Sequence, residues 1–173
     1  MVVDAVVVTT SKGGVTMAEY VYNEVQTVNP NQPVILRTSI GCGKGYVFHR
    51  NESGIVTLRG ITNNCFARYQ VTFNGNLGIP STGTPGAISV ALAIDGEPIL
   101  TSRAIVTPAD VAEEPYISQE NFFNVTSTAI ITVPKGCCVN VSVENTSESA
   151  DPAETPAPQI LVQNANLTVS RIA

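Results

Sequence analysis

Short segments in which apolar and polar residues alternate are the feature that most constrains how this chain can fold. Within Phe66–Asn74, the apolar residues Tyr69, Val71 and Phe73 alternate with polar residues, and the same period of two recurs in 139–144 and 165–170. A period of two places one side of a β-strand in a core and the other side in water. The chain is therefore predicted to consist of amphipathic strands.

Turn-forming residues divide these segments, and Val, Ile and Thr are abundant within them, as β-strands favour. Tight reversals are predicted at Asn74-Gly75, Asp95-Gly96 and Pro134-Lys135-Gly136. The predicted strands are Val34–Ser39, Gly45–His49, Ile55–Arg59, Phe66–Asn74, Ala87–Ile94, Pro98–Val106, Phe122–Val133, Cys138–Glu144 and Ile160–Ile172. This order predicts an all-β, antiparallel, two-sheet jelly-roll sandwich of about nine or ten strands.

Two segments depart from this pattern. Ala87–Ile94 is apolar on both sides, which is typical of a strand buried on both faces, and another subunit is one source of its second cover. Ala18–Val25 is the one segment that could form a marginal amphipathic helix.

The 173 residues fit one domain, for which we predict the boundaries 31–173. Residues 17–30 are predicted to form a tether or an added strand, which a neighbouring subunit could exchange. The stretch from Ser11 to Met17 reads like an in-frame translation of a ribosome-binding site and its spacer. We therefore expect translation to start at Met17, with residues 1–16 over-extended, the alternative being a disordered tail.

Charge and hydropathy exclude several classes of partner. Charged residues make up 13% of the chain, the net charge is −5, and the basic residues are spread singly along the sequence, so nucleic acid is not predicted as a partner. No apolar run approaches the ~20 residues that span a bilayer, so membrane insertion is not predicted. The first residues lack a basic segment followed by a long apolar one, so no standard signal peptide is predicted.

The order of strands and turns resembles a known superfamily. The hairpin Ser89–Ile99 is followed by Ser127–Gly136, by Val139–Asn145 and by the closing strand Asn164–Ala173. This order is similar to the tumour-necrosis-factor-like and complement globular-head jelly rolls, especially the C-terminal heads of bacterial collagen-like spore-surface glycoproteins and phage structural proteins. The resemblance implies a compact homotrimer with neighbouring chain ends and exposed binding loops. The chain departs from that pattern in having no collagen-like stalk.

Four cysteines and one histidine are the residues that could carry chemistry. The spacing of Cys42, Cys65, Cys137 and Cys138 matches no zinc ribbon and no redox motif. Reduced, partly buried thiols are predicted. The alternatives are a Cys42–Cys65 disulfide, a bridge between subunits through Cys137 or Cys138, and metal binding. His49 is predicted to be structural, because no carboxylate stands where it would orient a catalytic His49–Cys65 pair.

Two further motifs have simpler interpretations. The glycine-rich segment Gly41–Gly45 contains Lys44 but no following Ser or Thr and no helix, so a loop is predicted rather than a phosphate site. The acidic segments Pro108–Asn121 and Thr146–Pro158 lack the ligand spacing of a calcium site and are predicted to be solvated loops. We therefore predict no catalytic residue, no metal and no cofactor.

Three functions are compatible with a jelly-roll fold. The first is a non-enzymatic phage virion component, such as a head fibre, a decoration protein or a tail-associated knob. The second is a binding head on a bacterial cell or spore surface. The third, a cupin-type barrel enzyme, needs a cluster of histidines and carboxylates, and this chain has one histidine. We favour the virion, with the chain itself, a capsid or tail protein, and a host-surface glycan or protein as expected partners.

Overall fold

A computed structural model describes residues 17–40, 45–80, 86–108, 122–149, 153 and 155–173. In chain order the strands are β1 (Met17–Tyr22), β2 (Gln26–Val28), β3 (Thr38–Ile40), β4 (Val47–His49), β5 (Val56–Arg59), β6 (Phe66–Gly78), β7 (Ile88–Ile94), β8 (Glu97–Pro98), β9 (Ala104–Val106), β10 (Phe123–Pro134), β11 (Cys138–Asn145) and β12 (Ile160–Arg171). One 3₁₀ turn covers Leu100–Ser102.

The strands form two six-stranded sheets in which every pairing is antiparallel. The first sheet has the order β10-β6-β12-β1-β3, and β2 also pairs with β12. The second sheet has the order β4-β5-β11-β7-β8, and β9 also pairs with β7. The predicted all-β jelly-roll sandwich is confirmed, with twelve strands in the described residues rather than nine or ten.

The core lies between the two sheets and follows the alternation of the sequence. In β6 the side chains of Tyr69, Val71 and Phe73 are fully buried, while the residues between them face outward. Tyr69 and Phe73 are the bulkiest fully buried side chains, and the second sheet contributes Leu58 and Leu92 to the same cluster. Burying each of these side chains contributes roughly 1.5–3 kcal/mol.

One predicted turn is wrong. The chain does not reverse at Asn74-Gly75, because β6 continues to Gly78 and pairs with β10 along its length. Gly75 is needed here for space rather than for a turn. A Cβ atom at this position would lie 2.7 Å from Cζ of Phe73, so the phenyl ring occupies the place of a side chain.

The other two predicted turns are confirmed. Asp95 and Gly96 both have positive φ, at 50° and 84°, as a two-residue β-hairpin turn requires. Gly136 ends the β10–β11 turn with φ 78°. The predicted strand Pro98–Val106 is divided, because Ser102 turns inward in the 3₁₀ segment, where its hydroxyl accepts from Leu92 N at 3.0 Å.

The segment at 17–28 is β-structure within the first sheet. Residues Ala18–Tyr22, where a marginal helix is predicted, lie in β1, which pairs with β12 from Met17↔Ser170 to Tyr22↔Ala165. The sandwich therefore includes residues that the sequence assigns to a tether or added strand, and β1 pairs within its own chain. Residues 1–16 lie outside the described residues, so the start at Met17 stays a prediction.

Strand β7 is buried on both sides, as predicted, but the cover does not require a second subunit. Its inward residues Val90 and Leu92 lie in the core, and its outward residues Ser89, Ala91 and Ala93 are also buried within the single chain.

The two ends of the sandwich differ. Met17 pairs with Ser170, so the ends of the described chain lie together, as the resemblance implies. The segments 79–87, 107–122 and 146–159 all connect strands at the opposite end, where Leu77 pairs with Phe123 and Ile88 with Val106. We call this opposite end the loop end.

Candidate functional site

The outward side of the first sheet is a surface of uncharged polar side chains. Every second residue of its central strands β6, β10 and β12 points into the core. The residues between them point outward and form this surface. We call it the neutral face, and it consists of Gln70, Thr72, Asn74, Asn76, Asn124, Thr126, Thr128, Ile130, Thr132, Asn166, Thr168 and Ser170.

Hydrogen bonds between β6 and β10 connect these side chains. Asn74 Nδ2 donates to Thr126 Oγ1 at 2.9 Å, and Asn124 Nδ2 donates to Asn76 Oδ1 at 3.0 Å. Lower on the same strands, Thr128 Oγ1 donates to Thr72 Oγ1 at 3.1 Å. These bonds hold the side chains in place before any partner arrives, which lowers the entropy that association would lose.

The network extends across β12 to β1. Thr168 Oγ1 donates to Asn166 Oδ1 at 3.1 Å, and the Asn166 amide donates to the Glu19 carboxylate. Glu19 is the acidic residue beside the neutral face, and Arg68 lies at its edge on β6. The centre of the face therefore carries no formal charge.

One apolar side chain projects from this polar surface. Ile130 of β10 is 64% exposed, although it lies between Thr128 and Thr132 in the middle of the strand. An exposed Ile gains from burial, and neutral hydroxyl and amide groups lose far less on leaving water than charges do. The neutral face can therefore be covered by another protein surface, provided that its amides and hydroxyls find partners.

The cysteines are not where the sequence places them. Cys65, Cys137 and Cys138 are all exposed and free, so the prediction of partly buried thiols is wrong for these three. They lie at one end of the sandwich, in the loop before β6, in the β10–β11 turn and at the start of β11. Cys42 lies outside the described residues, so the predicted Cys42–Cys65 alternative stays untested.

His49 acts as a structural link between β4 and its neighbours. Its Nε2 lies 2.9 Å from the Ser53 carbonyl oxygen, its Nδ1 lies 3.3 Å from Ser39 Oγ, and its ring packs 4.6 Å from that of Tyr20. Burial of Tyr20 raises the pKa of its phenol to about 12. Its contacts are those of a structural histidine, as predicted.

Four basic residues that are distant in sequence lie at the end that carries the cysteines. The Arg171 guanidinium lies 4.3 Å from the centroid of the Tyr46 ring, and Arg68 lies 5.0 Å from that of Phe66. Arg59 donates to Gly45 O at 3.3 Å, and Lys135 lies in the β10–β11 turn. These four side chains come from the first sheet, from the second sheet and from the turn between them. They therefore surround this end and do not form a single basic patch.

The two remaining motifs lie largely outside the described residues. Of Gly41–Gly45, the structure describes Gly45, which has φ 72°. Of the acidic segments it describes part, including Glu148, whose carboxylate accepts from Arg103 at 2.8 Å. Among the described residues no group of three or more His, Cys, Asp and Glu side chains could hold a metal ion. The same residues include no helix long and apolar enough to cross a bilayer.

The solved structures that are similar to this chain include two that match almost all of it. The globular domain of the zebrafish complement 1qA protein matches 92% of this chain and 97% of its own, with a TM-score of 0.52 and 14% identity. The Eiger TNF from S. frugiperda matches 92% of this chain and 93% of its own, with a TM-score of 0.51 and 12% identity. No family model matches the chain, and no curated protein sequence does. At such identities the likeness speaks for the fold, and the chain has the TNF-like jelly-roll fold.

Proposed function

We propose that this chain is a non-enzymatic structural and binding module that forms a homotrimer through the neutral face and is displayed on a phage virion. The neutral face is the observation that carries this proposal. In a closed cyclic assembly each residue near the axis meets its own copies, so a charge there meets like charges. Asn, Thr and Ser side chains both donate and accept, so identical copies can satisfy one another.

The number of subunits rests on the resemblance of the sequence to TNF-like heads, which implies a homotrimer. A face that extends along the whole sandwich suits side-by-side packing of copies with their strands roughly along the axis. The loop ends of three copies would then lie together. The connecting segments 107–122 and 146–159 contain carboxylates and no Lys or Arg. We propose that these loop ends bind the partner, and that three weak sites together raise the avidity.

A charge placed at the centre of the neutral face tests the interface. Thr128→Arg would place unpaired like charges in the contact, at a cost of about 3–5 kcal/mol or a loss of about 10²–10⁴-fold in association. The matched control is Thr57→Arg, on the outward side of β5 in the second sheet. Light scattering on the full chain in reducing buffer is the measurement. We expect the mass of about three 18.2 kDa chains for the native protein and the control, and a folded monomer for Thr128→Arg.

Each outcome of that measurement decides the interface. A native monomer would remove the trimer, and a trimeric Thr128→Arg would place the contact on another surface. The avidity proposal has its own test, because a monomeric Thr128→Arg that binds particles or host cells as tightly as the native protein would contradict it.

Display on a virion rests on the resemblance to phage structural proteins and needs its own experiment. Antibodies against the full chain, seen by immunogold electron microscopy, should label purified phage particles. Purified spores and cells of the same host are the control. Label on the spores or the cell surface, with none on the particles, would replace the virion with the bacterial surface as the place of display.

A further inference from the structure

Three exposed thiols lie together at one end of the sandwich, which we call the thiol end, formed by Cys65, Cys137 and Cys138. Free cysteine is among the most buried residue types in proteins, so three exposed thiols at one end are unusual. Two connections bring them there, because the loop before β6 packs on the β10–β11 turn.

Backbone hydrogen bonds fix that packing. Gly60 N donates to Cys137 O at 2.8 Å, Gly136 N donates to Gly60 O at 3.0 Å, and Lys135 N donates to Cys65 O at 2.9 Å. A Cβ atom on Gly60 would lie 1.9 Å from the Pro134 carbonyl oxygen, so the close approach requires glycine. The thiols are therefore presented by a fixed turn rather than by independent loops.

The thiols lie on different sides of this end. Cys65 directly precedes Phe66, which begins β6 and pairs with Pro134, so Cys65 lies at the end of the first sheet, the sheet that carries the neutral face. Cys138 begins β11 in the second sheet, opposite Arg59. Successive residues of an extended chain point to opposite sides, so Cys137 and Cys138 are poorly placed to bond to each other.

We propose that the thiol end cross-links copies of this chain by disulfide bonds once the protein reaches oxidising surroundings. The partner is a second copy, because side-by-side packing through the neutral face would bring identical thiol ends together, so the inference rests on the proposed self-association. In a closed trimer the three thiol ends would lie beside one another. Cys138 faces away from the neutral face and would reach a neighbouring assembly.

The oxidant is a low-molecular-weight disulfide. The thiolate of one copy attacks a sulfur of that disulfide, which forms a mixed disulfide and releases one small thiolate. A thiolate of a second copy then attacks the protein sulfur and releases the other small thiolate. Two protein thiols are oxidised to one disulfide, one small disulfide is reduced to two thiols, and the two protons pass to the released thiols or to buffer.

The experiment uses the full chain, reduced and then treated with oxidised glutathione. Non-reducing denaturing electrophoresis and intact mass report the products. We expect dimeric and trimeric species that a reductant removes. In the triple variant Cys65→Ser, Cys137→Ser and Cys138→Ser, the cross-linked fraction should fall about tenfold or more, whereas the matched control Cys42→Ser should keep it.

Three outcomes would overturn the inference. They are a monomer whose mass shows an intrachain disulfide, a monomer that carries glutathione and forms no cross-link, and cross-links that survive the triple variant. Light scattering in reducing buffer separates this inference from the proposed function. A reduced trimer that never cross-links would leave the trimer standing, whereas a reduced monomer that cross-links would remove the trimer and retain the thiol chemistry.

Discussion

The outward sides of the two sheets differ, although the same alternation of residues produces both. On β7 and β11 of the second sheet, the outward residues Ala91, Ala93 and Ser142 are buried within a single chain. On the first sheet, the neutral face stays open, and its side chains bond to one another. The β7–β11 side therefore contributes to the stability of one chain, and the neutral face is a sheet surface that can still gain by association.

The largest expected difference in stability between the two sides appears when an Asp is introduced on each of them. Ala91→Asp buries a charge against the second sheet and should lower the free energy of unfolding by about 3–5 kcal/mol, whereas Thr72→Asp should lower it by less than about 1 kcal/mol. Urea unfolding followed by circular dichroism in reducing buffer measures both. Several protein concentrations separate folding from association, because Thr72 lies in the neutral face. Equal losses would mean that the two sides do not differ in burial.

A smaller effect comes from the inward side of the first sheet at alkaline pH. Tyr20 is 3% exposed, and burial raises the pKa of its phenol to about 12. In the unfolded chain the Tyr20 phenol ionises near pH 10. The free energy of unfolding therefore keeps its full value below pH 10 and falls by about 2–3 kcal/mol as the pH rises towards 12. Tyr20→Phe should flatten the decline in unfolding free energy between pH 10 and about 12.

Tyr69 provides a comparison for that measurement. Burial also raises the pKa of Tyr69, opposed by the nearby Arg171 guanidinium, and its hydroxyl donates to Arg59 O at 2.6 Å. Tyr69→Phe should therefore lose stability already at pH 7, by about 1 kcal/mol. An unchanged alkaline slope in Tyr20→Phe would show that Tyr20 ionises normally in the folded chain.

The smallest expected effect compares two arginines. Arg103, beside the second sheet, donates to Ser89 Oγ at 3.0 Å, to Glu148 Oε1 at 2.8 Å and to Thr146 O at 2.9 Å. Arg103→Gln should lower the free energy of unfolding by about 1–2 kcal/mol, because it releases the segment after β11. Arg68→Gln, at the exposed edge of the neutral face, should stay within about 0.5 kcal/mol. Thermal unfolding of both variants measures these losses. A larger loss of stability in Arg68→Gln than in Arg103→Gln would contradict the view that Arg103 makes the stabilising contacts.

The fold class and most of the strands follow from the sequence, because alternation is a local signal. The errors lie where distant residues decide. The segment 18–22 is a strand because it pairs with β12, which is far away in the sequence. At Asn74-Gly75 the turn signal is overridden by twelve residue pairs between β6 and β10 and by the Phe73 ring.

The candidate site was less predictable. Alternation identifies the outward residues of each strand, but the neutral face appears only when β10, β6 and β12 lie side by side, an order that the sequence does not contain. Cys65, Cys137 and Cys138 lie in two connections that pack on each other, a contact that the sequence does not show, so the usual burial of free cysteines was the basis of the prediction. The four basic residues around the thiol end are separate in sequence for the same reason.

The pairing of Met17 with Ser170 has a practical consequence for anyone who wishes to attach cargo to this domain. A polypeptide fused after Ala173 departs from the same end at which the chain enters the sandwich, and the loop end stays clear. For the same reason a short linker could join the two ends, and the exposed hairpin at Asp95-Gly96 offers a place to open new ones. The domain is therefore suited to circular permutation. A cargo attached at this end would lie on the opposite side of the domain from the loop end.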